Sequence, residues 1–158
     1  MMAVPAKGRG RTGGVAFLLA RIGAHATERF AERIAKLDLT PPQTGLLRAV
    51  ANEPGRSQQA VAEQLGIQPS RFVALVDELE RRGVIERRRN ATDRRLYALH
   101  LTGPGEELMH EIGHVALAHE NDVCSALSAT ERTTLRELLQ RVADQQRLTP
   151  GVDPGYRR

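Results

Sequence analysis

The chain has no tryptophan, a single cysteine, and aromatic residues at only 3% of its 158 positions. So few large flat side chains argue against a β-sandwich and for helices packed through alanine and leucine. The lone Cys124 excludes an internal disulfide framework and suits a reducing compartment. No apolar run reaches bilayer length. Val15 to Ala20 is cut by Arg21 after six residues, and the apolar positions then continue at helical spacing, unlike a secretory signal or a membrane span. A cytoplasmic, nucleoid-associated protein with no membrane contact is the expectation. Also missing are a phosphate-cradling glycine loop, a nucleophile elbow and a complete metal triad, so an enzyme is not expected. There are no internal repeats.

What is present is arginine, unevenly placed. The whole chain carries a formal charge of +4, yet between Arg81 and Arg95 seven arginines face two acids, Glu86 and Asp93, for a local +5. Such density in so short a segment suits a polyanion.

The periodic pattern predicts six helices and a hairpin. Gly14 to Leu37 carries an apolar stripe at Leu18, Ile22, Ala26, Phe30, Ile34 and Leu37, so one face of a long helix needs a partner surface. Thr40-Pro41-Pro42-Gln43 is a capping-box start with proline where a missing N–H costs nothing, and Leu46, Leu47 and Val50 give that second helix its buried side. Ser57 caps a short third helix with Val61 and Leu65, closed by Gly66. Pro69 and Ser70 open a fourth, with Phe72, Leu75, Val76 and Leu79 inward and Gly83 as its stop. Two helices separated by Gly66-Ile67-Gln68 make a helix-turn-helix.

Val84 to Arg87 and Leu96 to Leu101 then read as strands around a basic turn, Arg88 to Arg95, which is a wing. Thr102 caps a fifth helix to about Ala126, carrying Leu108, Ile112, Val115 and Val123. Ser128-Ala129-Thr130-Glu131 opens a sixth with Leu135, Leu138, Leu139 and Val142. The fold class is therefore mainly α with a two- or three-stranded β wing. It divides into a disordered basic arm (1–13), flanking helices (14–37 and 104–147), a winged helix-turn-helix lobe (40–102) and a flexible tail (148–158).

A helix fits the major groove of B-DNA, and the second helix of the pair offers its start and outer face. Subtracting the inward stripe leaves Gln68, Ser70, Arg71, Ala74 and Asp77 facing out. Arg71 is the candidate for a bidentate guanine contact, because its planar fork matches two acceptors. Ala74 suits a thymine methyl, and Asp77 is expected to orient a neighbouring arginine or to accept from cytosine. The helix starts near Ser57-Gln58 and Pro69-Ser70 present N–H groups suited to phosphate. The narrow cationic wing suits the minor groove and its backbone, with Arg87, Arg88, Arg89 and Arg94 as phosphate neutralisers.

In order and spacing these pieces resemble the MarR family of bacterial winged-helix transcription regulators. The resemblance is carried by Leu39-Thr40-Pro41-Pro42-Gln43 with Leu46-Leu47, Val61-Ala62-Glu63-Gln64-Leu65-Gly66-Ile67, Leu75 through Gly83, Asp93-Arg94-Arg95 and Leu101-Thr102. It implies a homodimer whose first and last two helices interlock, and a pseudo-palindromic double-stranded operator bound by a repressor that a small ligand or oxidation releases. It further implies that Arg95 enters the minor groove while Asp93 braces it.

By the same resemblance the effector pocket lies between the first helix, the winged lobe and the fifth helix. Arg21, His25 and Arg29 are then candidates to meet an anionic or phenolic ligand; otherwise they are surface residues of an amphipathic helix. No cofactor is required, but zinc is the alternative. Glu106, His110 and His114 step by four along one helix face, and a zinc-sensing branch of the family uses such a pair with further ligands. Two of those further positions are Thr44 and Gly45 here, so the set is incomplete unless His25, Glu28 or Glu32 joins it. Family members that sense peroxide carry their cysteine in the first helix, so Cys124 is expected to be a packed thiol.

Overall fold

The computed structural model describes residues 13–157, so the expected basic arm lies outside the described residues up to position 12. Six α-helices and one antiparallel hairpin follow in the order α1 (Val15–Ile34), α2 (Pro41–Asn52), α3 (Gln58–Leu65), α4 (Pro69–Arg81), β1 (Ile85–Arg89), β2 (Tyr97–Leu101), α5 (Gly103–Val123) and α6 (Ala129–Gln145).

The helix boundaries are set by local chemistry. Gln43 Oε1 accepts from the Thr40 N–H at 2.8 Å, the Ser57 hydroxyl from Ala60 N–H at 3.1 Å, and Thr102 from Gly105 N–H at 3.2 Å. Each satisfies a donor that the first helical turn leaves orphaned. Gly66 closes α3 with φ +64°, a left-handed turn that opens the way to α4.

The core sits inside the winged lobe. Ile34, Leu46, Leu47, Val61, Phe72, Val76, Leu79 and Ile85 are all 1% exposed or less, and Leu99 and Ile112 complete the same cluster. The hairpin pairs Ile85 with Leu101 and Arg89 with Tyr97, which turns Ile85 and Leu99 inward and leaves Arg88 and Arg89 exposed. The sheet has two strands. A third contributes only a single bridge, Ser57 to Ala98, because helix α3 begins at the next residue and takes the backbone away. Strand β1 reaches Arg89, so Arg88 and Arg89 lie on the strand rather than in the turn, which spans residues 90–96.

Helix α5 is locked to this lobe at its first turn. Thr102 Oγ1 donates to Gly83 O at 2.5 Å, and a Cβ on Gly105 would stand 2.0 Å from the Val84 carbonyl oxygen. Only glycine allows so close an approach.

The flanking helices are another matter. Helix α6 has no buried residue and α5 buries only Gly105 and Ile112. Val15, Phe17 and Ile22 on α1 are 74%, 51% and 55% exposed, and Leu138 and Val142 on α6 are 49% and 46% exposed. Of the six stripe positions expected along α1, Leu18 and Ile22 thus face solvent in the single chain, while Ile34 is buried.

The tail departs from the expectation of a flexible end. Over residues 151–156 it returns to the lobe, and Tyr156 is only 7% exposed within the core cluster. The physical reason is a vacancy in α2: Gly45 has no side chain, and a Cβ there would stand 2.5 Å from the Tyr156 ring.

Candidate nucleic-acid interface

The outer face of α4 comes from its own periodicity. With Phe72, Val76 and Leu79 buried, Gln68, Pro69, Ser70, Arg71, Ala74 and Asp77 are all exposed. Pro69 at the first helical position lacks the N–H that would go unpaired there. Arg71 is not simply extended into solvent: its Nη1 donates to the Tyr156 carbonyl at 3.4 Å.

The wing tip is held in shape by short side chains. Asn90 Oδ1 accepts from Thr92 N–H at 2.9 Å and Asp93 N–H at 3.3 Å, while Leu96 N–H donates to Asp93 O at 3.0 Å. Asp93 Oδ1 accepts from the Arg95 N–H at 3.0 Å and from its Nε at 3.2 Å. The Arg95 side chain is nevertheless 90% exposed, so the carboxylate aims it without covering it. Those two bonds from Arg95, the side-chain one first, hold the Asp93 carboxyl below the ordinary carboxylate range. A lowered value means the brace is complete above the usual carboxylate pKa and is lost only as pH falls through the lowered one.

The remaining wing arginines divide by partner. Arg88 pairs with Glu86. Arg89 and Arg94 are exposed and, among the described residues, have no carboxylate partner. Arg87 is different: it donates to Asp77 at 2.6 Å, Glu80 at 2.5 Å and Gln58 at 2.8 Å, with its side chain only 15% exposed. The expectation that Asp77 orients a neighbouring arginine matches this geometry. Arg87 itself, expected to neutralise phosphate, is a strut tying β1 to α3 and α4, because two carboxylates one helical turn apart on α4 reach it first. Arg82 likewise turns away from the wing, donating to the carbonyls of Asp38 at 2.6 Å and Leu37 at 3.1 Å.

Removing the strut has a measurable cost. Arg87→Ala leaves Asp77 and Glu80 facing each other without a counter-charge. It should lower the unfolding free energy by roughly 1–2 kcal/mol, seen as a lower urea midpoint. Arg87→Lys should recover only part, since a point charge cannot span both carboxylates and Gln58.

The candidate ligand residues do not converge. Arg21 stacks over the Phe17 ring at 5.7 Å, Arg29 pairs with Glu32 at 2.9 Å, and His25 is exposed. The cleft between α1, α2 and α5 is lined instead by Ala26, Thr27, Phe30, Pro41, Arg48 and His119, with Asp153 and Tyr156 of the tail, and holds about 270 Å³. Phe30 and His119 meet there with ring centres 5.5 Å apart. Burial, with Arg33 nearby, holds the His119 imidazole below its ordinary pKa. Burial also pushes the Tyr156 phenol above its own. The interior glycine of α2 was the sequence signal for this packing, because glycine inside a helix costs about 1 kcal/mol against alanine and marks a close approach.

Glu106, His110 and His114 are all exposed along α5. Among the described residues no group of three His, Cys, Asp or Glu side chains is placed to hold a metal ion, so zinc gains no support from the geometry. Cys124 is half-buried just beyond α5, with Sγ 3.9 Å from Glu120 Oε1. No helix among the described residues is long and apolar enough to cross a membrane.

Known proteins share both the sequence and the shape. Residues 37–96 match the model of the MarR family. The chain is 37% identical over 139 residues to a protein of Thauera aromatica described as a transcriptional regulatory protein for the hcr operon, covering 87% of this chain and 84% of that one. Among solved structures, the transcriptional repressor CouR bound to a 23-mer DNA duplex superposes with a TM-score of 0.73 at 33% identity, over 82% of this chain and 92% of that one. The PcaV transcriptional regulator of Streptomyces coelicolor gives 0.69 at 27% identity, over 85% and 98%.

Proposed function

The chain belongs to the MarR family, as a DNA-binding transcriptional regulator, and from that premise we propose that it acts as a cytoplasmic homodimer on a pseudo-palindromic operator, as a repressor released by a small ligand. The observation that carries this reading is the pairing of two exposed surfaces of opposite character. One is the α4 face and wing, where Ser70 and Arg71 stand beside a hairpin tipped by Arg94 and the braced, 90% exposed Arg95. The other is the apolar flank of α1 and α6, with Phe17, Ile22, Leu138 and Val142 left open.

The second surface supports a dimer on physical grounds. An isolated helix of the length of α6 is marginal in water, and most helical stability in proteins comes from burying an apolar face. A second copy laid on α1 and α6 supplies that burial. Its two-fold axis then sets two α4 helices about one DNA turn, or a multiple of it, apart. The relative bound to a 23-mer duplex is in keeping with a site of about two turns.

On each lobe, Ser70, Arg71, Gln68 and Ala74 read base edges in the major groove, Pro69 marks the start of that helix, and Ser57 and Gln58 meet phosphate at the start of α3. Arg95 enters the minor groove with Asp93 as its brace, and Arg88, Arg89 and Arg94 neutralise backbone. Selection of bound fragments from the genome tests this reading. An inverted repeat with half-sites one turn apart, protected by a dimer, is the expected result. Enrichment of no common sequence, or of a single unrepeated half-site, would contradict it.

A further inference from the structure

The cleft between α1, α2 and α5 is not empty, and its occupant is the chain's own tail. Tyr156 lies with its ring against Gly45, where a Cβ would approach within 2.5 Å of it, and only 7% of the residue is exposed. The tail is anchored on both sides by arginine: Arg48 of α2 donates to the Gly151 carbonyl at 2.5 Å, and Arg71 of α4 to the Tyr156 carbonyl at 3.4 Å. Beside the ring stand Phe30 and Pro41, with His119, whose Nδ1 is out of water and without a hydrogen-bond partner among the described residues.

We infer that residues 151–156 are an intramolecular plug, with the Tyr156 phenol occupying a site that accepts a phenolic carboxylate from solution only when the tail is displaced. Three features carry this. The occupant is itself a phenol, so shape and apolar walls already fit one aromatic ring. On the α2 side the anchor is an arginine bond to a neutral carbonyl, Arg48 to Gly151. A carboxylate, which carries a full charge and can accept two bonds from one guanidinium, makes a stronger pair with the same Arg48. Finally, the space left beside the seated ring, about 270 Å³, falls just below the range of small-molecule pockets, roughly 300 Å³ upward. Removing a tyrosine side chain brings it into that range.

The plug also joins the cleft to the DNA-reading helix. The residue that fills the cleft with its ring holds Arg71 with its carbonyl, so displacing the one removes the bond to the other. This deepens the ligand-released reading above and rests on it for its biological sense. Its test reads the cleft in the absence of DNA, so failure here and failure of operator binding are separate results.

The chain has two tyrosines, Tyr97 and Tyr156, and Tyr97 is 46% exposed, which makes it an internal reference for fluorine NMR of the 3-fluorotyrosine-labelled full chain. The Tyr156 resonance should stand away from the solvent position, and 4-hydroxybenzoate should move it there while Tyr97 stays. Gly45→Ala, which puts a methyl group where the ring lies, should produce the same move without the probe. Tyr156→Ala should bind 4-hydroxybenzoate at least about tenfold more tightly than the parent, a difference of about 1.4 kcal/mol. A Tyr156 resonance at the solvent position from the outset would overturn the plug. So would a Gly45→Ala chain with an unmoved resonance, or equal affinity of parent and Tyr156→Ala for the probe, including no binding by either.

Discussion

Leu138→Glu is expected to convert the regulator to a monomer and to weaken operator binding by more than about a hundredfold. Within one chain Leu138 is 49% exposed and α6 contributes no buried residue, so a charge there costs the protomer's own core little. In the proposed dimer the same carboxylate must leave water against an apolar partner, at a cost of several kcal/mol. Two lobes that were tied together then become two independent binders. The loss of effective concentration alone is worth a factor of a hundred or more. Sedimentation and circular dichroism check the two halves: halved mass with helix content nearly kept. A variant that stays dimeric at micromolar concentration, with operator affinity unchanged, would remove α6 from the interface.

The second large effect belongs to the wing. Arg95→Ala should weaken operator binding about a hundredfold while leaving thermal unfolding within a few degrees of the parent. The side chain is 90% exposed and its only bonds among the described residues go to Asp93, so the fold has little invested in it. In the complex, a base-groove arginine is worth about 1–3 kcal/mol, and both protomers lose one. Arg94→Ala gives the contrast. As a phosphate contact it should weaken all sequences alike and lower the slope of log affinity against log salt by about 1 per copy. Arg95→Ala should instead erode the preference for operator over random duplex. Asp93→Asn should fall between parent and Arg95→Ala, since it frees the arginine without removing it.

The lobe was legible in the sequence because each of its elements carries its own punctuation. Thr40 with Gln43, Ser57 before α3 and Thr102 before α5 satisfy orphan donors where their helices begin, and Pro69 at the head of α4 removes one by having no N–H. The inward stripe of α4 likewise follows from a spacing of three and four, and its outer face is what remains. What the sequence did not disclose depends on distant pairings. The basic count between Arg81 and Arg95 treats every arginine as equivalent. In the folded chain Arg87 is drawn into Asp77 and Glu80, and Arg82 into the carbonyls of Leu37 and Asp38. That leaves the positive surface narrower and closer to the tip. Strand β1 also runs two residues further than a strand of apolar and basic alternation ending at Arg87, because ladder bonds to Tyr97 and Ala98 extend it.

The ligand side was harder for the same reason. Arg21, His25 and Arg29 share a face of α1 by spacing, but the cleft is made where α1 meets α2 and α5, and it receives Ala26 and Phe30 instead. Tyr156 belongs to a stretch with no periodicity at all, and only Gly45, more than a hundred residues away, hints that something must approach there.

The central claim is that two copies of one α4 and wing surface, held at a fixed distance, read two half-sites. Hydroxyl-radical footprinting of the dimer on its selected operator, repeated as salt is raised, tests it most directly. Two patches of protection one helical turn apart and related by a two-fold axis are predicted. Each should carry a minor-groove cleavage minimum that Arg95→Ala removes, with affinity falling steeply with salt as counterions are released. A single continuous footprint without two-fold symmetry, unaltered by Arg95→Ala and flat with salt, would contradict the account.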